Sequence, residues 1–282
     1  MREVQQRRWS ALTTSQAFVL HLALSLLIFS SLIYVMALYW FPGELFFLDG
    51  GWQGLKLVAM VDLVLGPLLT LALYKPAKKG LVFDMSMIAA LQIAALAYGF
   101  YTTHHVRTVG IVYADGKFTT LSNKAKLEAD EKLRLLDALP QDLPKVSMFN
   151  PPIVLSPAQE GGFGKYLEDL FNGYPEAHER SDRYIAISKK PDELRENALS
   201  EEELREDKLL DIVETAKAKL DFDGDVENTI EVHRFDAAFA SGVVLYDTNN
   251  NRILDYIKKP KRNSAKSVDS EQTVANTEDA GN

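Results

Sequence analysis

Asp62 is the one carboxylate in the apolar run Leu57–Tyr74 of this 282-residue chain, and its position needs a reason. An ionised carboxylate at the centre of a membrane helix costs about 2.5–3.5 kcal/mol on insertion scales. If its helix begins at Leu57, Asp62 lies five residues in, ~7–8 Å below the helix start at 1.5 Å per residue. Two uses fit such a group. It makes a polar contact with another membrane helix or takes part in a proton-linked step, or it hydrogen-bonds within its own bundle to Gln92, a serine or a tyrosine. It has no basic partner in any span, which argues against a proton pump. Four residues on, Gly66-Pro67 breaks the helix near mid-membrane. Small residues there allow close helix packing, and the freed carbonyl allows a groove for a guest helix.

The remaining candidates are weaker. Asp49-Gly50-Gly51-Trp52-Gln53-Gly54-Leu55-Lys56 has three glycines and a tryptophan but neither phosphate-binding glycine pattern. It reads as a tight re-entry turn with an interfacial tryptophan. Asp221-Phe222-Asp223-Gly224-Asp225-Val226-Glu227 spaces acids like the start of a calcium loop, but its glycine is at position four and its twelfth residue is Val232. His104, His105, His178 and His233 have no metal-ligand spacing and read as interfacial or surface residues. The chain has no cysteine, so disulfides, thiolate metal sites and a cysteine nucleophile are excluded. No Ser/His/Asp set or carboxylate pair stands out. The sequence therefore points to no catalytic residue, cofactor or metal.

The elements that would position these residues divide the chain in two. Residues 1–110 carry a net charge of +3 and the rest −11, which gives the total of −8. An acidic second part lacks the basic face that nucleic acid requires. From Ser10 to Gly43 there is no Asp, Glu, Lys or Arg, and Ala17–Phe41 is long enough to cross a ~30 Å hydrocarbon core. A signal peptide is the rival reading, but the run exceeds an h-region of about 7–15 residues and no A-x-A-like site follows. Leu57–Tyr74 and Met85–Tyr101 are the second and third apolar runs. Arginines 2, 7 and 8 and the loop Lys75-Pro76-Ala77-Lys78-Lys79 place both basic segments in the cytoplasm. The expectation is a membrane domain at 1–107, with spans at about 17–41, 57–74 and 85–103, and an extracytoplasmic α+β domain at 108–259.

In that second domain, Thr108–Tyr113 and Lys117–Leu121 flank Asp115-Gly116 as a hairpin. A helix is expected at Asn123–Leu139, with Leu127, Leu133, Leu136 and Leu139 as its apolar residues, and a strand at Arg183–Ser188. Ser200 and Glu203 form a capping box for a helix burying Leu204, Leu209, Leu210, Val213 and Leu220. Strands Thr229–Phe235, Val243–Tyr246 and Ile253–Ile257 close the domain as antiparallel hairpins. Residues 260–282, nearly free of apolar side chains, read as a disordered tail.

Taken together, the membrane part resembles the type IV pilin accessory proteins of the TfpX/TfpZ kind. The resemblance is carried by Tyr39-Trp40-Phe41-Pro42-Gly43, Asp49–Gly54, Val61–Thr70 (which includes Asp62, Gly66 and Pro67), Pro76–Lys79 and the Gln92–Gly99 stretch QIAALAYG. It implies a bacterial inner-membrane protein, not an enzyme, that helps a cognate major pilin into pili by chaperoning or stabilising it. Its partners would be that pilin, the lipid bilayer and the pilus assembly machinery. The alternatives are a membrane-anchored periplasmic sensor, for which the cytoplasmic pieces are too short to hold an output domain, and a membrane-bound enzyme of unknown reaction.

Overall fold

A computed structural model describes residues 12–144, 151–221 and 226–259. The arginines at 2, 7 and 8, residues 222–225 of the acidic loop and the tail 260–282 lie outside the described residues.

Among the described residues, three helices are long and apolar enough to cross a membrane: α1 (Thr14–Trp40), α3 (Gly51–Leu73) and α4 (Leu81–Val106). A single turn, α2 (Leu45–Leu48), lies between the first two. Thr13 opens α1 with a capping box to Gln16, and its last turn, Met36–Trp40, widens to π geometry before Phe41 ends it. Met36, Trp40, Phe41, Phe46, Leu55 and Val58 pack together where α1, α2 and α3 meet.

The helix α3 is longer than its apolar run and is not broken at Gly66-Pro67. Pro67 has no N–H to give and its ring crowds the carbonyl four residues back. The chain responds by widening Met60–Leu65 into a π turn, in which the Gly66 N–H reaches Val61 O, and then continues as α-helix. The helix also starts six residues earlier than Leu57. Gly50 takes φ +94° as the entry residue, and the glycine-rich stretch coils instead of turning.

Among the described residues after α4, one seven-stranded sheet runs in the order β4-β3-β1-β2-β5-β6-β7. Its strands are β1 (Thr108–Ala114), β2 (Lys117–Ser122), β3 (Ile153–Leu155), β4 (Ile185–Ala186), β5 (Ile230–Asp236), β6 (Ser241–Asp247) and β7 (Arg252–Lys258). The expected hairpins β1–β2, β5–β6 and β6–β7 are antiparallel, but the sheet is mixed. The pairs β1–β3 and β2–β5 are parallel, and β3 has no strand signal long enough to be read from sequence. Ile111, Tyr113, Phe118, Phe235 and Val244 form the core on one face, where Leu45 and Leu48 of α2 join them.

The helices α5 (Asn123–Leu135), α6 (Gly162–Phe171), α7 (Pro191–Glu196), α8 (Glu201–Glu206) and α9 (Leu210–Lys219), with the short turn α10 (Val226–Thr229), complete the domain. Three expectations are corrected here. The helix α5 stops at Leu135 because Asp137 turns left-handed at φ 57°, and Leu127 and Leu139 are exposed; Leu133 is its buried leucine. The helix expected from Ser200 to Leu220 is two, α8 and α9, separated at Lys208 with φ 60°. The strand at Arg183–Ser188 shrinks to the two residues of β4 between 3₁₀ turns.

Candidate functional site

Asp49 joins the helical part to the sheet. It follows α2, and its side chain is buried. One oxygen accepts from Thr108 Oγ1 at 2.5 Å. The other accepts from Thr120 Oγ1 at 2.7 Å and from the Ala238 backbone N–H at 3.1 Å. These donors come from the first residue of β1, from β2 and from the β5–β6 connection. Beside them the Phe239 N–H donates to Leu48 O at 2.9 Å. Burial raises the Asp49 carboxyl above the ordinary carboxylate range, and the three hydrogen bonds oppose that shift. The residue read as part of a re-entry turn is thus a three-way clasp.

Its neighbours are set by the same junction. Gly50 lies under Phe239, and a Cβ there would sit 2.5 Å from that ring even if the left-handed backbone were tolerated. Gly51 opens α3 against Phe41 and Phe46. Trp52 is half-exposed, with Lys56 Nζ 5.1 Å from its ring centroid. A pocket of about 600 Å³ opens beside the clasp between Gln53, Thr102, Val106, Thr119 and Phe239.

A second polar group lies between the apolar helices. His21 of α1 places Nδ1 2.5 Å from Thr70 Oγ1 and Nε2 2.8 Å from Gln92 Oε1. The Thr70 hydroxyl donates to Gly66 O at 3.1 Å, which links the histidine to the backbone beside Pro67. Gly66 is what admits Gln92: a Cβ at Gly66 would lie 1.9 Å from the amide nitrogen. Thus Gly66 and Gln92 meet at one site organised around His21, which the sequence reading passed over, and Pro67 follows directly after Gly66.

Asp62 does not join it by hydrogen bonding. It is buried, yet no hydrogen bond reaches its carboxylate among the described residues. Instead it lines an apolar cleft of about 220 Å³ with Val58, Val61, Ala95, Leu96 and Gly99 between α3 and α4. Gln92, the expected partner, is occupied by His21. The π turn carries Asp62 toward the Ala95–Gly99 face of α4. Because α3 begins at Gly51, Asp62 lies eleven residues in, ~16 Å along the helix and at its centre.

Among the described residues no group of three or more His, Asp or Glu is arranged to hold a metal. His233 is not a surface residue. It is fully buried, ringed by Tyr113, Phe118 and Tyr246, with Nε2 3.1 Å from Glu231 Oε2. Thr108, Thr120 and Ala238 were out of reach of sequence reasoning, since they lie 59, 71 and 189 positions from Asp49.

Three apolar helices clasped to a mixed sheet define a class of architecture for which no solved structure and no family model gives a match. Relatives do. The chain is 32% identical over 132 residues to the fimbrial assembly protein of serogroup I of Dichelobacter nodosus, covering 46% of this chain and 48% of that one. It is 31% identical over 132 residues to the serogroup E1 protein, with the same coverage. It is 32% identical over 124 residues to the protein of serogroups C1 and C2, covering 43% of this chain and 88% of that one. The chain spans about half the length of the serogroup I and E1 relatives it matches. It belongs to the fimbrial assembly protein family.

Proposed function

We propose that the chain is an inner-membrane accessory factor that holds a cognate type IV major pilin before assembly and promotes its entry into pili. Its three long helices cross the membrane with the N-terminus in the cytoplasm, and the sheet domain lies in the periplasm. The factor acts by binding, without a catalytic step.

The observation that carries this reading is the Asp49 clasp. It hydrogen-bonds the loop between the first two apolar helices to three separate segments of the sheet domain. A partner made of a membrane helix and an extracytoplasmic head needs both halves supported at once, and a clasp at the junction keeps the two supporting surfaces in register. The relatives' role in fimbrial assembly supports the same reading.

The test is a chromosomal deletion with and without complementation by the full chain, scoring pilin in the membrane fraction and pilin in sheared surface fibres. The expected result is membrane pilin present or reduced and surface fibres lost, with both restored on complementation. Unchanged surface fibres in the deletion strain would reject the proposal.

A further inference from the structure

Among the described residues the sheet ends at β7, and the outer side of that strand has no neighbouring strand. The Lys259 N–H donates to Ser241 O at 2.9 Å, and the register pairs Ile257 with Val243 and Asp255 with Leu245. Alternation along an antiparallel ladder then points the N–H and C=O of Ile257 and Asp255 at β6, and those of Tyr256 and Lys258 outward. The outward Tyr256 N–H is capped by its neighbour's carboxylate, Asp255 Oδ1, at 2.8 Å. That contact satisfies a donor for which the sheet supplies no acceptor.

No described residue covers the edge. A groove of about 680 Å³ follows Asp255–Lys258, walled on one side by Ile212, Thr215, Ala216 and Lys219 of α9 and bounded on the other by Glu44. Ile212 is exposed there, while Val213 beside it is buried in the core. A strand edge beside a helix, with backbone donors and acceptors presented into the space between them, is the geometry of strand addition.

We propose that this edge receives an extended segment of the fimbrial subunit as an added antiparallel strand, an inference that rests on the partner proposed above. A second copy of this chain does not fit. The last residues of β7 lie at the helical end of the domain, where Lys258 Nζ is 5.7 Å from the Phe47 ring centroid, and its first residues follow the turn at the far end. Antiparallel pairing of two β7 strands would point the second set of apolar helices away from the first, which two copies in one membrane cannot satisfy. Parallel pairing about a two-fold axis sets identical outward groups face to face, whereas a parallel ladder needs them staggered by one residue. A chain that leaves the membrane beside α1–α4 and climbs toward its own head runs antiparallel to β7. Its alternate side chains would meet Ile212 and Ala216 on one side, which favours an aliphatic residue, and Glu44 on the other, which favours Lys or Arg. Asp255 would release the Tyr256 N–H as the strand seats.

The experiment places a photo-crosslinking side chain in the full-length chain in native membranes, at position 215 on the groove wall or at position 171 on the exposed end of α6. Position 215 should capture the fimbrial subunit. Lys258→Pro, which removes an outward N–H, should lower that yield about tenfold, and Lys258→Ala, which keeps it, should stay within about twofold. Ile212→Arg, on the exposed wall, provides a second block whose yield is read at matched protein level. Capture of the subunit from 171 but not 215, capture of a second copy at 215, or a yield indifferent to both blocks would overturn strand addition while leaving the proposed partner standing. Capture of the subunit from neither position, with surface fibres intact in the deletion strain, would overturn both.

Discussion

Asp49 accepts a hydrogen bond from Thr108, the residue at which the chain leaves the third apolar helix and enters the sheet. One carboxylate thereby ties the loop after α1 to the strand after α4. Asp49→Ala would leave two hydroxyls and the Ala238 N–H without their acceptor, at a cost of about 2–4 kcal/mol. Asp49→Asn keeps an acceptor oxygen for Thr120 and Ala238 and offers an amide to Thr108. Thermal unfolding of the purified full chain should show a large loss for the alanine variant and little for the asparagine one.

The two asparagine and aspartate proteins should also differ in their response to pH. Burial raises the Asp49 pKa in the folded state, so the folded form binds the proton more tightly than the unfolded form. The stabilisation from that proton is fully present below the unfolded value, about pH 4, and is lost as pH rises through the folded value. Measured between pH 4 and 7, wild type should lose stability relative to Asp49→Asn as pH rises. A parallel pair of curves would contradict the assignment.

Gly66 and Gln92 should behave as one unit. Gly66→Ala drives a methyl into the Gln92 amide and should destabilise by about 1–3 kcal/mol through overpacking. Gln92→Ala removes the obstacle and the His21 contact together. The double variant should therefore be more stable than the sum of the two single losses, a coupling that a double-mutant cycle on membrane-extracted protein reads directly.

Among the described residues Asp62 makes no hydrogen bond that its replacement would break, so both Asp62→Asn and Asp62→Leu should accumulate in membranes at wild-type level. Immunoblots of membrane fractions check this. A collapse of the leucine variant alone would mean that the carboxylate holds the bundle through a contact beyond the apolar cleft it lines.

The proposed topology predicts that a phosphatase reporter fused after residue 150 is active and one fused at Lys78 is inactive. The reverse pattern would invert the assignment of both faces.

What the sequence made legible follows from the range of the forces involved. Apolar length located the three helices, and local turn chemistry located the Asp115-Gly116 hairpin and the Ser200–Glu203 capping box. Those signals act over a few residues. The parallel pairings β1–β3 and β2–β5 depend on which distant segments cover which face, and a three-residue strand such as β3 carries no periodicity of its own. The helix start at Gly51 was hidden because three glycines read as a turn, whereas close packing is what they provide, Gly50 on Phe239, Gly51 on Phe41 and Phe46, and Gly54 on Thr103. Asp49, Asp62, Gly66, Pro67 and Gln92 could be singled out by type and setting. Their partners could not be, because Thr108, Ala238 and His21 are brought to them only by the folded chain.

The central claim is that this chain promotes the assembly of a fimbrial subunit through physical contact. The most direct measurement is surface pilus number by electron microscopy in a deletion strain with the subunit gene intact, set beside strains complemented with wild type and Asp49→Ala. The account predicts few or no pili in the deletion strain, wild-type numbers on complementation, and a marked shortfall with Asp49→Ala. Normal pilus numbers in the deletion strain would contradict it.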